Sequence, residues 1–165
     1  MLGGGSGCGK TWITLRFIKN EFSDGYIPTI EDEFTKVVEI DGKPISVTLY
    51  DTAGQDDFAE MRYSPYFKCD CFILVFSIFI PSSVDDMYPI YKDIEDVFAD
   101  INKVPIVIAA NHCDLRDEQD KIDLVPIEQY KIIEERFKSP VIEVSAKTNI
   151  GINQLFEKVI RKYLE

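Results

Sequence analysis

No apolar run in this chain is long enough to cross a bilayer, and no signal-peptide pattern is present. Basic residues are scarce: 18 Lys and Arg stand against 29 Asp and Glu, for a net charge of −11. Such a surface repels phosphate backbones, which argues against a nucleic-acid-binding protein. Histidine occurs once and cysteine four times, at Cys8, Cys69, Cys71 and Cys113. Cys69-x-Cys71 has neither a second cysteine pair nor a histidine beside it, which argues against a structural zinc site. The irregular spacing suits reduced thiols and a cytoplasmic setting. Internal repeats, linkers and low-complexity tracts are also lacking. The final residues Lys162, Tyr163, Leu164 and Glu165 form no prenylation signal, so membrane attachment is expected only through a tail not in this sequence.

What is present is enough apolar material for one domain: 45% hydrophobic and 12% aromatic residues in 165. Residues 72–76 and 104–110 are continuous apolar runs, the pattern of strands covered on both faces, and 141–144 is a shorter one. Residues 34–40 and 45–50 flank Asp41-Gly42, a hairpin turn signal. Helical spacing marks residues 10–20, 83–100, 127–137 and 152–163, with Pro89 expected to kink the second or to stand in its first turn. Strands alternating with helices predict an α/β fold, a six-stranded mixed, mostly parallel sheet with helices on both faces.

The organising stretch is Gly4-Gly5-Ser6-Gly7-Cys8-Gly9-Lys10-Thr11. It fits Gly-x-x-x-x-Gly-Lys-Ser/Thr, a phosphate-binding loop that opens a helix. Its glycines let successive backbone N–H groups of Gly5, Ser6, Gly7, Cys8 and Gly9 turn toward a phosphate. Lys10 supplies charge for the outer phosphates, Thr11 a hydroxyl for Mg²⁺, and the helix start adds unpaired donors. Only Met1 and Leu2 precede Gly3, so the strand that should lead into this loop is expected to be largely missing, as from a truncated N-terminus. Losing about five apolar residues there would remove roughly 10 kcal/mol of burial.

Three further stretches follow strands. Asp51-Thr52-Ala53-Gly54-Gln55 places a carboxylate able to hold Mg²⁺ through water, a glycine whose N–H can approach a terminal phosphate, and an amide able to orient a water. Asn111-His112-Cys113-Asp114 ends in a carboxylate that can accept two parallel hydrogen bonds from guanine, a donor pair that adenine lacks. Ser145-Ala146-Lys147 can offer a backbone N–H to the guanine carbonyl and a lysine stem along the ring.

These four motifs, in this order, resemble the Ras superfamily of small GTPases over essentially the whole chain. Residues 26–32 resemble the first switch loop of the Ras branch. Asp41 to Pro44, Phe76-Ser77 and Pro81 to Ser83 have a Rho/Rac flavour, but the acidic helix insertion of Rho proteins is absent. The resemblance implies a phosphate-loop G domain spanning 1–165 and a monomer that cycles between GDP and GTP. It implies that Thr29 coordinates Mg²⁺ with Thr11 and Asp51 and senses the γ-phosphate, as does Gly54. Tyr26 and Pro28 flank the nucleotide, Phe22 packs on the guanine, and Gln55 positions water while Lys10 stabilises developing charge. No arginine is placed to assist, since the counterpart of Arg62 supports the second switch, so hydrolysis is expected to be slow until an activating protein supplies one. Partners implied are a nucleotide exchange factor, a GTPase-activating protein and effectors with basic surfaces. Effectors would dock along residues 26–40 beside Glu31 and Asp32, where charge reversal should weaken their binding far more than nucleotide binding.

The chain departs from the family at four places. Ser6 replaces a glycine nearest the γ-phosphate, where a side chain can obstruct an incoming arginine or Gln55. His112 replaces a lysine that covers the guanine and braces the phosphate loop, so faster nucleotide exchange is expected. Trp12 replaces a small residue beside the α-phosphate, its backbone N–H still able to serve, and Pro65 should shorten the helix of the second switch. Two alternatives compete with the switch: a guanine-nucleotide-binding module that acts through partners with little hydrolysis, and a phosphate-loop ATPase or nucleotide kinase, which Asp114 disfavours.

Overall fold

The computed structural model, which describes residues 1–25, 32–51, 66–117 and 123–165, turns the two long apolar runs into neighbouring strands of one sheet. The strands are β1 (Leu2–Gly4), β2 (Asp32–Ile40), β3 (Lys43–Asp51), β4 (Phe72–Ser77), β5 (Ile106–Asn111) and β6 (Val141–Glu143), in the order β2-β3-β1-β4-β5-β6. Every pair is parallel except β2 with β3. That hairpin turns on Asp41 (φ 52°) and Gly42 (φ 74°), two positive dihedrals that match the twist of the flanking strands. The helices are α1 (Lys10–Lys19), α2 (Ser83–Val97), α3 (Tyr130–Phe137) and α4 (Ile152–Leu164).

Successive side chains of a strand leave on opposite faces, and the two apolar runs feed two cores accordingly. Phe72, Leu74, Phe76, Ile106 and Ile108 pack with Met87, Ile94 and Phe137 beneath α2 and α3. Ile73, Val75, Val107 and Ala109 pack with Ile13, Phe17, Leu155 and Phe156 beneath α1 and α4. There the Phe17 and Phe156 rings stack with centroids 3.7 Å apart.

Boundaries moved for local reasons. Strand β5 starts at Ile106 instead of 104, because Val104 closes a turn onto Ile101 O and Pro105 has no N–H for the ladder. Helix α2 ends at Val97, and Asp100 caps a separate short 3₁₀ turn by accepting from Asn102 N. Pro89 stands inside α2, beyond its first turn, and the helix runs on past it. The strand before the phosphate loop is not missing altogether. Three residues of β1 occupy the sheet centre between β3 and β4, with Leu2 opposite Ile73 and Gly4 opposite Val75. Met1 extends the pairing: its ammonium donates to Cys71 O at 2.9 Å and its carbonyl accepts from Ile73 N at 2.9 Å.

The strand order reverses its growth at β1, with β3 on one side and β4 on the other. A crevice beyond the carboxyl ends of the strands at such a point is where open α/β sheets bind ligands. The described residues of the four motifs lie at or just beyond those carboxyl ends.

Candidate functional site

The phosphate loop leaves β1 and enters α1 through glycines at positive φ, 78° at Gly7 and 87° at Gly9. Ser6 and Gly7 form its exposed crest, while Gly5 and Cys8 are buried. Gly5 has no room for a side chain: an added Cβ would sit 2.4 Å from Asp86 Oδ2 of α2. Gly9 is equally restricted, since a Cβ there would meet Asn111 Nδ2 at 2.3 Å.

Lys10 folds back under the loop and donates from Nζ to Gly4 O and Gly5 O, both at 3.0 Å. Burial pulls its ammonium below the ordinary lysine range, against the opposing pull of Cys8 and Asp51. A phosphate arriving above it would favour the charged form. Asp51, buried at the end of β3, and Thr11, at the start of α1, present hard oxygen donors that suit Mg²⁺.

Asn111 links the phosphate loop to the second motif. It is fully buried and donates from Nδ2 to Cys8 O at 2.8 Å. Two residues beyond His112, the Asp114 Oδ1 atom is buried and has no hydrogen-bond partner among the described residues. A buried, unpartnered carboxylate oxygen is costly unless a ligand supplies a donor. Guanine N1–H and its amine are such donors. Burial, then the Glu143 and Asp114 carboxylates, push the neighbouring Cys113 thiol up to about 11, so it remains uncharged there.

The His112 ring packs edge-on against Phe79, centroids 4.8 Å apart, and its Nδ1 shares a hydrogen with Ser77 Oγ at 2.9 Å. Its Nε2 lies 3.4 Å from the point where a Gly9 Cβ would stand, so the ring borders the phosphate loop as the replaced lysine was expected to. Burial lowers its pKa, Asp114 partly opposing. The unfolded chain therefore takes up this proton more readily than the fold. Stability is full above about pH 6.5 and is lost as pH falls from there toward the lower folded value. His112→Asn, which tolerates the φ of 69° at this position, is expected to flatten that loss in urea titrations run between about pH 7 and 5. Parallel curves for the two proteins would contradict it.

Ser145 is buried and its Oγ accepts from Thr148 N at 3.1 Å, holding the Ala146 and Lys147 backbone beside α1. Trp12 and Phe22 are half-buried neighbours at the open end of this loop. Thus Gly5, Ser6, Gly7, Cys8, Gly9, Lys10, Thr11, Trp12, Phe22, Asp51, Asn111, His112, Asp114, Ser145, Ala146 and Lys147 come together on one rim. The expectations for Tyr26, Pro28, Thr29, Glu31, Gly54, Gln55, Arg62 and Pro65 lie outside the described residues, as does the Asp32 side chain.

Sequence reading missed the residues behind this rim. Ser83 donates to Ser77 O and accepts from Ser77 N, fastening α2 to the end of β4, and Asp86 closes on Gly5. Arg16 donates to Ala146 O and Lys147 O across the sheet edge. Ser83 and Asp86, three apart at a helix start, were the one available signal for the first pair.

A sequence profile of the Ras family matches residues 1–165. The chain belongs to the Ras family. It is 33% identical over 157 residues to the GTP-binding protein Di-Ras1 of Mus musculus, spanning 95% of this chain and 77% of that protein. It is 35% identical over 158 residues to Ras-like protein 2 of Drosophila melanogaster, spanning 96% of this chain and 80% of that protein. The fold is accordingly that of a Ras-family G domain: among the described residues, a mixed six-stranded sheet with four α-helices and a phosphate loop after its central strand. No helix among the described residues is long and apolar enough to cross a membrane.

Proposed function

We propose that this Ras-family domain is a molecular switch that binds GDP and GTP with Mg²⁺, hydrolyses GTP slowly, and engages effectors through residues 26–40. The observation that carries this reading is the pairing of two ligand-directed ends on one rim: buried Lys10 under the phosphate loop, and the buried Asp114 Oδ1, unpartnered among the described residues, at the base end. Asn111 ties the two ends together through Cys8 O.

In this reading the loop N–H groups and Lys10 hold the phosphates, Asp114 and the Ala146 N–H select guanine, and Thr11, Asp51 and Thr29 hold Mg²⁺. The metal, when bound, supplies positive charge to the terminal phosphates. Gln55 orients the attacking water, and Gly54 and Thr29 report loss of the γ-phosphate. Slow intrinsic hydrolysis is supported by where the nearby arginines among the described residues are spent. Arg16 is bonded to Ala146 O and Lys147 O, and Arg116 to Glu143 and Val125 O, so neither is directed to the crest. An activating protein would supply that charge, with Ser6 on the crest limiting its approach. An exchange factor would open the site. Among the described residues the outer strand β2 pairs on one side only, which suits an effector strand with basic side chains on the other. The protein acts as a cytoplasmic monomer, reaching membranes only through a lipidated tail.

Displacement of a fluorescent GDP by unlabelled GTP or ATP tests the core of the proposal. GTP is expected to compete at least about a hundredfold better than ATP, because adenine leaves the Asp114 oxygen unpaired. Equal competition would mean a general phosphate-loop ATPase or kinase. Single-turnover GTP hydrolysis, with and without an added activator, then separates a slow GTPase from a module that only binds.

A further inference from the structure

On α1, Trp12 and Arg16 are four residues apart and share a face. That face does not point into either core alone; it fastens two separate loops. The Trp12 indole N–H donates to Gly25 O at 3.1 Å, and its ring lies 5.1 Å from the Phe22 ring at 54°. The Arg16 guanidinium lies 5.8 Å from the same Phe22 ring. Its Nη1 donates to Asn20 O at 3.0 Å and to Asn20 Oδ1 at 3.1 Å. Its Nε donates to Ala146 O at 2.7 Å and its Nη2 to Lys147 O at 3.0 Å. Lys147 Nζ in turn reaches Asp24 Oδ1 at 3.6 Å.

We propose that Arg16 and Trp12 form a latch that sets the rate of nucleotide release. The inference rests on the reading of this rim as a guanine-nucleotide site. Phe22, on the segment 20–25, and Ala146-Lys147, on the segment after β6, are the two walls between which the base would sit. A base leaves only when one wall moves. Arg16 grips both: its planar fork holds two successive carbonyls on one wall and the chain at Asn20 on the other, which a single ammonium cannot span. Trp12 pins the far end of the second wall at Gly25. Arg16 is not among the residues read as meeting the nucleotide itself; its contacts are with Phe22, Asn20, Ala146 and Lys147, so it is a positioning residue acting through the two walls.

This arrangement opposes the faster exchange expected from His112. Where a lysine stem over the base is missing, the walls are tied to each other from behind.

The test uses the whole chain loaded with fluorescent GDP and Mg²⁺. Arg16→Ala is expected to speed GDP release by about tenfold or more and Trp12→Ala by about threefold, with association rates changed by less than about threefold. Because both act on the same wall, the double variant should fall short of the product of the single effects. A release rate for Arg16→Ala within about twofold of wild type would overturn the latch. If that variant does not fold, Arg16→Lys, which keeps the stem and the charge but not the fork, is read the same way. A second readout needs no nucleotide. Trp12 is the single tryptophan of the chain, so acrylamide quenching of its fluorescence reports whether segment 20–25 is fastened. In nucleotide-free protein, quenching should rise in Arg16→Ala, and unchanged quenching would also count against the latch. Failure of the wild type to bind GDP would overturn the proposed function, while the quenching result would still decide whether the latch exists.

Discussion

Asp114→Ala is expected to weaken GDP binding by about a hundredfold to ten-thousandfold while leaving the nucleotide-free protein at least as stable as wild type. Two charge-assisted hydrogen bonds to the guanine edge, each worth about 1.5–3 kcal/mol, amount to about 3–6 kcal/mol, which is that range of affinity at about 1.4 kcal/mol per tenfold. The stability half of the prediction follows from the fold. Asp114 Oδ1 is buried without a partner among the described residues, so in the empty site it contributes a desolvation cost and no bond. Removing it relieves that cost. Calorimetric titration with GDP and with inosine diphosphate checks the assignment further, since the second ligand lacks the exocyclic amine. Wild type should prefer GDP clearly, and the alanine variant should treat the two alike. A variant that keeps its preference would place guanine recognition elsewhere.

The second large effect is expected at Gly9. Gly9→Ala should cost about 2–5 kcal/mol and lower the melting temperature by roughly 5–15 °C in a chain of this size. Two costs add. The backbone there has φ 87°, which a side chain accepts only at about 1–2 kcal/mol. The new methyl would also stand 2.3 Å from Asn111 Nδ2, forcing that buried amide off Cys8 O, a loss of about 1–3 kcal/mol. Gly7 provides the internal comparison. Its φ is 78°, yet nothing lies within 4 Å of an added Cβ, so Gly7→Ala should incur only the first cost. Thermal unfolding of both nucleotide-free variants decides the matter. Equal losses would show that the Asn111 contact carries no energy.

The two predictions also mark how unevenly the site was written in the sequence. Lys10, Asp51, Asn111 and Asp114 could be found because each stands at the end of a recognisable strand or in a spaced motif. Their chemistry is local to the residue type. The apolar runs at 72–76 and 104–110 likewise declared a parallel sheet covered on both faces, and Asp41-Gly42 declared its hairpin. Boundaries were less legible where a neighbour decided them. Pro105 belongs to an apolar run by composition, but the ladder begins only after it, because that residue has no N–H to give. Pro89 is expected to kink its helix or to stand in the first turn; it stands beyond that turn and α2 runs on past it, with Met87, Ile90, Tyr91 and Ile94 in the core beneath. With only Met1 and Leu2 before Gly3, the leading strand is expected to be largely missing, yet Leu2–Gly4 form one. Pairing on both sides, with β3 and β4, makes three residues sufficient.

By itself, then, the sequence determined the fold class, the order of the motifs, and which residue types could meet phosphate, metal and guanine. These depend on short-range pattern: alternation, spacing, and the donor or acceptor inventory of single side chains. The tertiary structure alone decided how those parts are held together. Asn111 reaches Cys8 across 103 residues, and Arg16 reaches Ala146 across 130. No periodicity links positions so far apart. Only the sheet order, with β1 set between β3 and β4 and β5 close by, brings the carboxyl ends of distant strands to one rim, where those contacts become possible.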